Sequence, residues 1–203
     1  MLHVVDSVND PGKGRDSEDR IGSGPERGLA WAIDGATDVC ADRLFPAAPS
    51  DAFWFAGQAD ALLQTGAAAP PRDIVADLID GLAAAVTEET GQSVTEIAPG
   101  DMPSAALTLM QWDSGSGALA FCGFADCTSL IRRPHEAPFA VPKPPSPLDE
   151  QAQARRLLSD GSDIDAALRA QRAMMNRPGG YWVLSVHAEA LYGLHCYSTQ
   201  APA

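Results

Sequence analysis

Apolar and polar positions change period several times along the chain, and each change marks an element. Leu2 to Val8, Leu-His-Val-Val-Asp-Ser-Val, reads as a first strand, and Asn9 to Gly14 has loop chemistry. Between Ser17 and Asp38 two short runs flank a Gly/Pro turn. The second run, Leu29 to Ile33, is apolar throughout and stops at Asp34-Gly35, as a buried strand ending in a tight turn does. Ser50 to Leu63 shows a broad apolar face (Phe53, Trp54, Phe55, Ala59, Leu62, Leu63) behind a Ser-Asp start suited to capping, which predicts a helix. Arg72 to Glu89 repeats Ile74, Val75, Leu78, Leu82, Ala85 and Val86 at helical spacing.

Beyond these helices, Ser104 to Trp112 and Gly117 to Phe124 read as strands joined by an Asp113-Ser-Gly-Ser116 turn. A further strand begins at Thr128. Arg132 to Leu148 holds six prolines and reads as an extended surface segment, not a strand. Pro142 to Pro147 has the composition of a stiff connector or of a polyproline II ligand. Helices are expected from about Asp149 to Leu158 and Ile164 to Met175, the latter capped by Ser162 or Asp163, and a last strand from Tyr181 to Val186. This order predicts an α+β fold, an antiparallel β-sandwich flanked by helices (αββα), in a single domain over residues 1–203.

Composition narrows the partners. The formal net charge of −13 argues against a nucleic-acid or anionic membrane partner. No apolar run approaches the length of a bilayer span, and the start of the chain has no signal-peptide pattern, so a cytoplasmic protein is expected. Cys40, Cys122, Cys127 and Cys196 form no Cys-x-x-Cys pair, and thiols in a reducing compartment are the expectation.

The candidate chemistry is acidic. Glu18 and Asp19 are adjacent, and Asp34 ends the apolar strand. A turn centred near Pro25 puts Asp34 roughly opposite Asp16, with Glu18 and Asp19 on the order of 10 Å away along the ladder. An all-oxygen cluster of this kind suits Mg²⁺ or Mn²⁺. Acidic residues at strand ends are also ordinary solvated turn residues, and Asp-Gly is a common turn dipeptide.

The order Glu18-Asp19-Arg20, hairpin, Ala32-Ile33-Asp34-Gly35 resembles the start of the type 2C metal-dependent protein phosphatases. The resemblance continues through Ser104-Ala105-Ala106-Leu107-Thr108, through Ala125-Asp126-Cys127 where the family has Gly-Asp-Ser, and through Asn176 to Ser185. It implies Glu18, Asp19, Asp34, the Gly35 carbonyl and Asp126 as ligands of Mg²⁺ or Mn²⁺, and Arg15 as the phosphate-holding residue. The implied activity is hydrolysis of phosphoserine, phosphothreonine or a small phosphomonoester, with metal-bound hydroxide attacking phosphorus.

The sequence departs from the family in three places. Ala36 stands where many relatives have a His. Arg15 lies one residue closer to the acidic pair than the pattern has its Arg. Two late aspartates of the family have no counterpart, since Glu189 is the only acidic residue after Asp165. Three readings follow: a metal-dependent phosphatase, a non-catalytic phosphatase-like binding module (a pseudophosphatase), or a plain α+β domain without metal. The sandwich would be incomplete at one edge, and two copies could pair through it as a homodimer.

Overall fold

The computed structural model describes residues 2–10, 16–36, 43–133, 135–141 and 164–199. Arg15, Cys40, the Pro142–Pro147 run, the helix expected over 149–158 and the caps Ser162 and Asp163 lie outside them.

The first hairpin pairs β1 (Asp19–Gly24) with β2 (Leu29–Gly35) around a short 3₁₀ turn, Pro25–Arg27. Gly28 closes that turn at φ 65° and donates its N–H to the Pro25 carbonyl at 3.1 Å, a left-handed conformation that glycine adopts without strain. The 3₁₀ turn moves the centre of the hairpin toward the C-terminus. Asp34 therefore faces Asp19 directly and not Asp16. Along β2, Leu29, Trp31 and Ile33 are buried, with Ala30 and Ala32 between them.

Helix α1 (Asp51–Thr65) starts at Ser50, whose hydroxyl accepts from Phe53 N–H at 3.0 Å, as its sequence promised. Asp51 is only 5% exposed, and its carboxylate accepts from the N–H groups of Leu44 and Phe45, both at 2.9 Å. It thereby ties the preceding loop to the helix start. Helix α2 (Pro71–Thr90) begins with proline in its first turn, where no N–H is missed, and ends at Gly91 in the left-handed region.

Strands β3 (Ala105–Trp112) and β4 (Leu119–Phe124) form the second hairpin, and β7 (His195–Thr199) pairs with β4. The sheet runs β1-β2-β3-β4-β7, antiparallel at each step. Two short strands, β5 (Leu130–Ile131) and β6 (Phe139–Ala140), make a separate ribbon. Helix α3 (Ile164–Arg172) and a 3₁₀ segment, Ala188–Gly193, precede β7.

The sheet has two different faces. On one, Leu29, Trp31, Ile33, Leu107, Leu109 and Phe124 pack against Phe55, Leu63, Ile79, Leu82 and neighbouring residues of α1 and α2. On the other, Phe121 packs with Ile131 and Val141, joined by Met110, Leu119, Phe139 and Tyr197. The architecture is α+β, with helices over an antiparallel sheet and a small β ribbon behind it.

Further sequence expectations need correction, among them that Arg132 to Leu148 holds no strand, since β6 lies within it. Leu2 to Val8 is no strand: it has no ladder partner among the described residues, and Val5 is 96% exposed. Tyr181 to Val186 is buried over Val183–Val186 but makes only isolated bridges, Ala105 with Leu184 and Met175 with Tyr181. The strand at the sheet edge is instead β7. The cysteines also differ from expectation, because Cys122 and Cys196 are joined in a disulfide.

Candidate metal centre

The open end of the first hairpin gathers acidic groups because the register dictates it. Asp19 and Asp34 are paired positions of antiparallel strands, so their side chains leave the same face of the sheet. Asp34 remains open to solvent on one side. Even so, desolvation by the surrounding protein is the largest cause pushing its pKa up to about 6. The negative charge of Asp19 and a hydrogen bond shared with it add to the rise, followed by the charges of Asp126 and Glu18.

Glu18 has a second commitment. Its Oε1 accepts the hydroxyl of Ser50 at 2.5 Å, the same Ser50 that caps α1. The carboxylate thus lies at the positive end of the helix dipole, a favourable place for an anion. Gly35 is fixed by packing. Its N–H donates to the Glu18 carbonyl at 3.3 Å, and a Cβ there would lie 2.7 Å from that carbonyl oxygen and 3.1 Å from the Ala52 carbonyl.

Asp126 follows Ala125, which has φ 56°. That conformation suits glycine and strains alanine. It turns the chain sharply after β4 and brings Asp126 within electrostatic reach of Asp34.

Arg172 carried no sequence signal, because it sits in an amphipathic helix where a basic residue looks solvated. In the fold it is 7% exposed. Its guanidinium donates to the carbonyls of Met102 and Ala36, each at 3.2 Å. It therefore holds the residue that follows Asp34-Gly35.

The donor chemistry at this end fits a hard divalent cation. Asp19 and Asp34 supply carboxylate oxygens, and Mg²⁺ commonly takes one or two carboxylates with water completing its shell. A cation would also relieve the repulsion that raises the Asp34 pKa. Among the described residues, no group of three or more His, Cys, Asp or Glu side chains stands at metal-binding spacing. The pair Asp19 and Asp34 is accordingly what the described residues offer.

No protein-family model matches the chain, and no curated protein matches it. Among solved structures, the chain is similar to one described as PppA, a key regulatory component of T6SS in Pseudomonas aeruginosa. The two are 16% identical with a TM-score of 0.47, over 93% of this chain and 67% of that one. A TM-score below 0.5 does not establish a common fold, so the architecture here rests on this chain's own strand order and packing. Among the described residues, no helix is long and apolar enough to cross a membrane.

Proposed function

We propose that this chain is a phosphatase-like module whose hairpin end takes one Mg²⁺ or Mn²⁺ and recognises a phosphate group on a phosphoprotein or small phosphomonoester. The observation that carries the reading is the direct pairing of Asp34 with Asp19, with the Asp34 pKa raised to about 6 by burial and by its acidic neighbours. A carboxylate held at that cost is stabilised by any cation that reaches it. Asp19 and Asp34 would hold the ion. Bound there, it would neutralise the pair and present positive charge to a phosphate oxygen.

Binding without turnover is the version that the Glu18–Ser50 hydrogen bond favours, since that bond ties Glu18 to the start of α1. The hydrolase reading takes Glu18 and Asp126 as additional ligands. Thermal denaturation with and without millimolar Mn²⁺ tests the site. Wild type should gain melting temperature and Asp34→Asn should not, because a ligand that binds only the folded state stabilises it. A wild-type curve unmoved by Mn²⁺ removes the metal from the proposal. Turnover of p-nitrophenyl phosphate should be weak or absent, and robust Mn²⁺-dependent turnover would transfer the reading to the hydrolase. The proposal extends to two copies pairing through an open sheet edge, β1 or β7, and light scattering that gives a monomer would end that part.

A further inference from the structure

Cys122 and Cys196 occupy paired positions of β4 and β7, with Cα atoms 4.3 Å apart, and share a disulfide. Their surroundings differ. Cys122 is 4% exposed and belongs to the helix-side core with Leu109 and Phe124. Cys196 is exposed, on a strand whose only sheet neighbour among the described residues is β4. Thiol–disulfide exchange proceeds by attack of a thiolate on whichever sulfur it can reach.

We propose that Cys196 is a modification site for low-molecular-weight monothiols, and that its modification unpins the edge strand β7. The thiolate of the small molecule attacks Sγ of Cys196 and forms a new S–S bond there. The Cys122–Cys196 bond breaks, and its electron pair leaves on Sγ of Cys122. That sulfur takes a proton from solvent and stays in the core as a neutral thiol, because burial among apolar side chains disfavours the thiolate. The same burial slows reclosure, since only the thiolate can attack the mixed disulfide. A second monothiol can then displace the adduct, which leaves Cys196 as a thiol and releases the small molecule as its own disulfide. The monothiol is the only reductant the sequence of steps needs.

The consequence follows from topology. β7 is held laterally by its ladder to β4, from Leu119↔Thr199 to Gly123↔His195, and by this one covalent tie. The tie closes a loop with a sequence separation of 74 residues. Opening it restores entropy to the unfolded chain and leaves the ladder and the packing of Tyr197 to hold the edge.

The test uses the wild-type chain, purified under oxidising conditions and incubated with millimolar reduced glutathione. Acid quenching, alkylation of thiols and peptide mapping then locate each sulfur. The expected result is a glutathione adduct on Cys196 and an alkylated Cys122. The melting temperature should fall by roughly 5–15 °C, the range that closure of a loop of this size implies. Amide exchange should rise in 195–199 while β2 and β3 keep their protection. An adduct mapped to Cys122, or oxidised protein without the Cys122–Cys196 link, would overturn the assignment. Exchange that rises equally across β2, β3 and β7 would overturn the unpinning of the edge. Cys196→Ala supplies a second check: it should take no adduct at Cys122 and should show the exchange of the reduced wild type.

Discussion

The two ends of the first hairpin differ in how a charge is met: Arg27 at the closed end is complemented by its neighbours, and Asp34 at the open end is opposed by them. At the closed end Arg27 turns back over α1, donating to the carbonyls of Leu63 at 2.5 Å, Gly66 at 2.9 Å and Gln64 at 3.2 Å. A cation thus sits on the negative end of the helix dipole and satisfies carbonyls that the helix itself leaves open. At the open end, Ser50 and the positive end of the same helix take Glu18, but Asp19 and Asp34 face one another. Arg27 is structural because every neighbour supports its charge. Asp34 is a candidate ligand because its neighbours oppose its charge.

Substitutions can break or sharpen that contrast. The largest effect should come from Arg27→Ala, which orphans three helix-terminal carbonyls and should cost roughly 3 kcal/mol in chemical denaturation. Arg27→Lys should recover only part, since an ammonium cannot span the same fork. If Arg27→Ala is neutral, the closed end is not held by that charge. Gly35→Ala should follow, at about 2 kcal/mol, because its Cβ would press on the carbonyls of Glu18 and Ala52. Loss of Mn²⁺ stabilisation in the same variant would show that the Asp34 turn has moved.

Ala125→Gly runs the other way. Releasing the φ of 56° should stabilise the chain by about 1 kcal/mol, and an unchanged denaturation midpoint would show that Ala125 bears no strain.

The smallest effect concerns pH, because solvent screens the exposed Asp34 carboxylate. Asp34 has a folded pKa near 6 against an ordinary value of 3.8, so the folded state binds the proton more tightly than the unfolded one. Its contribution therefore favours folding at low pH, falls away as pH rises from about 4 to 6, and stays unfavourable above that. Asp34→Asn should then be more stable than wild type at pH 8, with the difference vanishing below about pH 4. A difference that is the same at both pH values would show that Asp34 titrates normally.

Much of the fold was legible because it is local. The helices α1 and α2 announce themselves by period, and α1 also by its Ser50 cap. The strands β2, β3 and β4 are apolar runs bounded by turn residues. Asp34 could be singled out because it ends an apolar strand. Its partner could not be named correctly, since the size of the 3₁₀ turn shifts the whole register and moves Asp19 into the place expected of Asp16.

What the sequence determined by itself was every feature that a short stretch of chain decides: helix period, cap chemistry, turn composition and the position of carboxylates at strand ends. Tertiary structure decided whatever needed a partner. Leu2 to Val8 has a strand's composition but finds no ladder among the described residues, while His195 to Thr199 lacks an obvious strand pattern and becomes one by pairing with β4. The Cys122–Cys196 link exists through that pairing. Arg27 and Arg172 acquire their roles only when distant carbonyls come within reach. A backbone hydrogen bond or a charge has no meaning along the chain until a complementary group is brought to it, and that is settled in three dimensions.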